Sequence, residues 1–264
     1  MQNITKISNK IRFQVCKLSH QANAAHLGSA LSCVDILSVI FFSDLFKFDI
    51  KKNSLDKFIL SKGHAASALY SCLALKKFIS FKQLNKYGKN NSFLEEHPNK
   101  KVNGVICSTG SLGHGLSFGC GITLGEKINN YNNKNIVLLS DGECNEGSVW
   151  EAAGFASSKK LNNLIALIDF NNWQATGRSK EIFGGEMKKK WQAFGWDVID
   201  INGNNIRQIY NALKKAKKNK SKPTAIICNT IKGKGIKFME DNNNWHYRIP
   251  NKEELEIIKK ILNQ

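Results

Sequence analysis

The chain has 264 residues, 42% of them hydrophobic, 23% charged, with a longest apolar run (Ile36 to Phe42, broken by Ser38) far too short to cross a bilayer. Seven scattered cysteines without a Cys-x-x-Cys pair exclude a disulfide framework or zinc site, and Met1 to Lys10 lacks a secretion signal's apolar core, so a cytoplasmic protein without membrane attachment is expected. The net charge of +18 comes from lysines spread along the chain, densest at 188–190 and 214–222 beside amphipathic helical patterns, where solvated faces explain them; no nucleic-acid partner is expected, and the field attracts anionic substrates.

Apolar positions Ile4, Ile7, Ile11, Val15 and Leu18 predict a helix over residues 4–22. A turn of small residues, Asn23 to Ser29, carries His26 and Gly28 and leads to a second helix from about Ser32 to Phe46. Residues 56–60 read as a short strand running into Ser61-Lys62-Gly63-His64, with a helix beyond it through Leu75. At that corner His64 either caps the helix or faces an anion at its N-terminus. Glu96-His97-Pro98 follows. The glycine-rich stretch Ser108 to Gly115, which includes Gly110 and Leu112, precedes a helix over residues 116–128. Gly113, Gly115, Gly119 and Gly121 weaken that helix, so close approach of other groups is expected there. Further on, a helix over 187–194, a strand over 196–201, a helix over 205–218 and a strand over 224–229 continue an α/β pattern. The tail holds Lys232-Gly233-Lys234-Gly235 and Trp245-His246.

Between these halves lies the stretch with the most chemistry, Ile136 to Gly177. An apolar run, Ile136 to Leu139, stops at Ser140-Asp141-Gly142. A helical pattern follows, with Val149, Ala152, Ala153 and Ala156 on one face, and a second apolar run, Leu164 to Ile168, ends in Asp169-Phe170-Asn171-Asn172. In an open parallel sheet, ligands bind just beyond such strand ends. Asp141 offers a carboxylate and Asn171 an amide carbonyl, oxygens suited to a Mg²⁺ ion that shares its remaining positions with phosphate and water. Gly142 lets the main chain approach a phosphate closely. Singly, Asp141 fits a helix cap and Asn171 a turn; together, with Glu146 and Asn172 beside them, they fit a site.

This stretch resembles the thiamine-diphosphate motif, which opens Gly-Asp-Gly and closes on Asn some thirty residues later. Its interior, EGSVWEAAGFASSKKLNNLIALIDFNNWQATG, is similar to the transketolase form. Ser140 stands where the family has its first Gly, and Tyr247 where a Gly is common. The resemblance implies an α/β domain, residues 1–264, with a parallel β-sheet flanked by helices on both faces, the diphosphate-binding half of a thiamine-diphosphate-binding fold. It implies thiamine diphosphate held through Mg²⁺ (or Ca²⁺ or Mn²⁺), with Asp141, Asn171 and the carbonyl of Trp173 as metal ligands. Gly110 and Leu112 fall against the cofactor's rings, and Gly142, Glu143, Asn171, His64 and His246 fall among its binding residues. His26, His64, His97 and His246 take substrate-side roles, and Glu146 falls in an acidic network between subunits.

The pyrimidine-binding domain of the family, which carries the glutamate that activates the cofactor, is not matched here. The resemblance therefore implies the N-terminal subunit of a split, two-chain transketolase. It would work as an α2β2 assembly with a C-terminal subunit that carries that domain, on sugar phosphate substrates. Three other readings stay open: a deoxyxylulose-phosphate-synthase-like enzyme, a transketolase specialised for an unusual sugar, and a non-catalytic binding subunit.

Overall fold

The computed structural model describes residues 2–49 and 55–264. In chain order the elements are α1 (Gln2–Ala22), α2 (Leu27–Ser32), α3 (Val34–Phe42), β1 (Lys57–Leu60), α4 (Ala66–Leu75), α5 (Phe81–Leu84), α6 (His114–Ile128), β2 (Asn135–Ser140), α7 (Gly147–Ser158), β3 (Leu164–Phe170), α8 (Ser179–Ile182), α9 (Met187–Ala193), β4 (Asp197–Asn202), α10 (Ile206–Lys218), β5 (Thr224–Asn229) and α11 (Lys252–Ile261). The five strands form one parallel sheet in the order β1-β2-β3-β5-β4. The three central strands are apolar along nearly their whole length because both faces are covered.

Alternate residues of each strand serve opposite layers. Ile136, Leu138, Ile165, Leu167 and Ile226 pack in one core with residues of α1, α3, α4 and α10. Val137, Leu139, Ala166, Ile168 and Ile227 pack in the other with residues of α6, α7 and α9. The expected sheet with helices on both faces is what forms. In α10 the reason is plain: the Asn205 side chain accepts from the Arg207 and Gln208 amides as an N-cap, and Ile209, Ala212, Leu213 and Ala216 present one buried stripe.

Two boundaries differ from the sequence expectation. The second helical stretch starts at Leu27, not near Ser32, because His26 takes a left-handed conformation (φ 66°) that starts a helix at once. It breaks at Cys33 and ends at Phe42, where Ser43 turns extended. The glycines of α6 also divide. Gly113, with φ 86°, sits at the N-cap. A Cβ on Gly115 would meet Ser61 Oγ at 2.3 Å, and one on Gly119 would meet Val137 Cγ2 at 2.6 Å. Gly121 faces open space, so the close approach expected there does not occur.

That division is measurable. Gly119→Ala forces a methyl against β2 and is expected to cost about 1–3 kcal/mol. Gly121→Ala meets nothing and is expected to gain about 0.5–1 kcal/mol of helix propensity. Urea midpoints that move in opposite directions at unchanged m-value test the pair.

Candidate active site

A cavity of about 590 Å³ opens at the carboxyl ends of the strands. Its walls include His26, His64, His97, His246, Gly110, Leu112, Gly142, Glu143, Glu146, Asn171 and Trp173, so residues from distant stretches of chain converge.

The histidines are brought together by turns. His26 sits in the left-handed corner before α2, and its amide donates to the His246 carbonyl at 2.6 Å. Its ring lies 5.6 Å from the ring of His64, 6.2 Å from His97 and 5.0 Å from His246. His64 falls in a 3₁₀ turn, Gly63–Ala65, and Ala65 is the N-cap residue of α4, so the capping alternative does not hold. Gly110, with φ 143°, lies against the His97 ring; a Cβ there would come within 2.8 Å of it. His246 closes another 3₁₀ turn, Asn243–His246, and Tyr247 follows with φ −112°, a conformation that needs no glycine.

Beneath these rings lie two lysines that the sequence does not single out. Lys62, fully buried, forms an ion pair with Asp169 and donates to the Ser29 carbonyl at 2.9 Å. Asp169 also accepts from Ser32 Oγ at 2.5 Å and from Thr230. Burial works against the Lys62 ammonium, but the Asp169 charge overrides it and holds its pKa up. Lys232, also fully buried, donates to Asn243 Oδ1 at 2.5 Å and lies 3.1 Å from His246 Nδ1. Burial, reinforced by the Lys62 charge, pulls Lys232 down to about 8. Burial and the neighbouring cations keep the imidazoles neutral: His246 falls to about 3, His64 well below its ordinary value, and His26 moves the same way. One sign could have exposed Asp169, the one charged residue inside the apolar run 164–170. Lys62, in a polar corner, gave none.

The floor of the cavity is the β2–β3 edge. In register, Ser140 pairs with Asp169, and the Asp141 amide donates to the Asp169 carbonyl at 3.3 Å, so Asp141 and Asn171 leave adjoining strand ends. Ser179 ties the two loops: its hydroxyl donates to Asp141 Oδ2 at 2.8 Å and its amide to the Asn172 carbonyl at 3.1 Å. Ser140 replaces glycine without harm because its hydroxyl accepts from the Glu143 amide at 3.2 Å, within regular strand geometry. Asn171 Oδ1 accepts from the Trp173 amide at 3.0 Å. The Gly142 N–H does not stand free for an anion: it donates to Asp141 Oδ1 at 3.0 Å. Glu143 is fully buried and accepts from Ser61 Oγ at 2.5 Å, the Gly113 amide at 2.9 Å and the Ser140 amide at 3.2 Å, which pins the glycine turn to the strand end. Glu146 is exposed at the start of α7.

The donor set suits a hard cation. Asp141 is 2% exposed, and burial pushes its carboxyl up to about 6, the sign of an anion short of a counter-charge. Among the described residues no group of three or more His, Cys, Asp or Glu forms a metal cluster. An ion here would rest on one carboxylate, amide and main-chain oxygens, and phosphate, the manner of Mg²⁺.

A parallel sheet with a histidine-rimmed, carboxylate-floored cleft at its carboxyl edge defines the diphosphate-binding class of α/β domain. The chain matches the family described as "Transketolase, thiamine diphosphate binding domain" over residues 4–263, and it belongs to the transketolase family. It is 38% identical over 253 residues to an apulose-4-phosphate transketolase subunit of Phocaeicola vulgatus, across 94% of this chain and 90% of that one. It is 37% identical over 246 residues to the 6-deoxy-6-sulfo-D-fructose transketolase subunit SqwG of a Clostridium species, across 86% of this chain and 89% of that one. The transketolase structure from Campylobacter jejuni superposes with a TM-score of 0.93 at 30% identity, covering 100% of this chain but 43% of that longer one. The chain thus has the extent of the relatives named as subunits and less than half that of the Campylobacter enzyme.

Two outcomes follow from the electrostatics. Lys62→Met leaves the buried Asp169 without its cationic partner and is expected to cost about 3–5 kcal/mol by urea unfolding, most of it recovered by Lys62→Met with Asp169→Leu. His26, His64 and His246 hold pKa values below the ordinary 6.5 in the folded chain, so the unfolded chain takes up protons first and their contribution to stability falls as pH drops from 6.5 towards 3. His246→Asn should flatten that fall, read as Tm against pH.

Proposed function

We propose that this chain is the cofactor-diphosphate half of a two-chain transketolase that moves a two-carbon ketol unit from a ketose phosphate, or a similarly anionic ketose, to an aldose acceptor. The carrying observation is the meeting of four histidines from distant loops over a floor of Ser140, Gly142 and Asn171, with Asp141 buried at the same strand end. Relatives of matching length that are named as transketolase subunits support the division of labour, and their names carry different sugars, so the reading stops at the substrate class.

In this reading Asp141, Asn171 and the Trp173 carbonyl hold Mg²⁺ against the diphosphate of thiamine diphosphate. When bound, the cofactor supplies the nucleophilic carbon that carries the ketol unit. Gly110 and Leu112 wall its rings. His26, His64, His97 and His246 orient the sugar hydroxyls and take or return their protons, and burial, with the neighbouring positive charges added to it, holds His26, His64 and His246 in the unprotonated form that accepts. A partner chain supplies the pyrimidine-binding domain with its activating glutamate, in an α2β2 assembly in which Glu146 joins an acidic network between subunits. No helix among the described residues is long and apolar enough to cross a membrane.

The deciding assay combines this chain with the candidate partner and scans ketose phosphates as donors. Ketol transfer is expected only with both chains, Mg²⁺ and thiamine diphosphate, and Asp141→Ala should lower it at least 10³-fold, about 4 kcal/mol. Transfer by Asp141→Ala at the wild-type rate would end the reading. Activity with pyruvate as donor would favour a deoxyxylulose-phosphate-synthase-like enzyme, and an assembled complex that binds no cofactor would favour a non-catalytic role.

A further inference from the structure

One side chain in the cavity has an unused hydrogen-bond donor. Gln174 lines the wall formed by the loop after β3. Its Nε2 is buried and has no hydrogen-bond partner among the described residues. A buried amide donor left unpaired costs about 1–3 kcal/mol, which a fold accepts where a ligand completes the bond.

The position of Gln174 says what kind of ligand. It stands over the Asp141-Gly142 turn: a Cβ built on Gly142 would lie 3.2 Å from Gln174 Cγ and 3.4 Å from its Cδ. That turn's own donor is spent, because the Gly142 N–H is turned onto Asp141. On this side of the floor the free donor is therefore the Gln174 amide. It belongs to a side chain packed beside the turn of a buried carboxylate, Asp141, that calls for a cation, and a cation on that carboxylate in turn calls for anionic oxygen beside it.

The loop is held on both sides of Gln174. Its amide donates to the Gly177 carbonyl at 2.9 Å, and Trp173 and Arg178 pair across the turn. The Arg178 guanidinium stacks on the Trp173 ring at 3.7 Å and forks onto Asp241 at 2.7 and 2.8 Å, while Trp173 Nε1 donates to the same carboxylate at 2.7 Å. Asn243 donates to the Ala175 carbonyl at 3.0 Å. Gln174 is thus presented by a braced hairpin, not by a free loop end.

We propose that Gln174 is a diphosphate-binding residue: its side-chain amide donates to a phosphate oxygen of the cofactor and closes the cradle opposite Asp141 and Gly142. This rests on the cofactor reading above. The shared chemistry is phosphate oxygen, and the alternative source is the phosphate of a sugar.

Calorimetric titration of the complex of this chain with its partner, with Mg²⁺-pyrophosphate, Mg²⁺-thiamine diphosphate and fructose 6-phosphate, separates the cases, using wild type, Gln174→Met and Gln174→Glu. For wild type, both diphosphates should bind. Gln174→Met should weaken both by about tenfold or more, the loss of one bond to a charged acceptor. Gln174→Glu, with the same shape but no donor, should weaken them further, and near-ultraviolet dichroism and Tm report whether either variant is folded. Equal diphosphate affinity in wild type and in a folded variant overturns the assignment, as does weakening confined to fructose 6-phosphate. Failure of the wild-type complex itself to bind either diphosphate overturns the cofactor reading on which the assignment stands.

Discussion

The ion pair of Lys62 and Asp169 holds the functional edge of the sheet. Lys62 follows β1, Asp169 lies near the end of β3, Thr230 follows β5, and Ser29 and Ser32 belong to α2; all meet at these two side chains. Both charges are fully buried, and for such a pair the desolvation cost can match or exceed the mutual attraction. The value of the arrangement is geometric. The elements that end at the cavity meet the lone pairs and protons that the pair offers, so three strand ends and one helix are set relative to one another. Burial, with the positive charge of the nearby lysines added to it, then keeps His26, His64 and His246 uncharged, a state suited to accepting protons.

Most of the architecture was legible because the sheet is covered on both faces. Continuous apolar runs such as 136–139, 164–168 and 224–229 mark central strands of a parallel sheet without ambiguity of face. Residues 196–201 also read correctly although β4 is an edge strand with exposed positions. The start of α2 did not read, because it depends on one histidine taking a positive φ, which no local pattern announces. Gly121 misled for the opposite reason: glycine content in α6 looked like one signal, but each glycine answers to its own neighbour.

The cavity was legible at a different level. Asp141, Asn171 and the four histidines emerged from an ordered series of motifs, and the fold does bring the histidines to one cleft and Asp141 and Asn171 to adjoining strand ends. The supporting charges were not legible. Lysine in a polar corner normally reads as surface, and Lys62 and Lys232 are inside only because distant segments of chain fold over them. The Gly142 amide, read as an anion donor, proved to be turned inward on its neighbour, a rotation that spacing cannot convey.

The histidine quartet is drawn from positions 26, 64, 97 and 246, and His26 receives no backbone partner for its amide until His246 is in place. The cleft therefore depends on contacts of very long sequence separation, the kind that form last because their loop-closure entropy is recovered only at the end of folding. A nascent chain with its sheet already paired would still lack a finished site until the segment around His246 left the ribosome. Loading of a small molecule into this cleft thus reports that segments more than two hundred residues apart have been brought together.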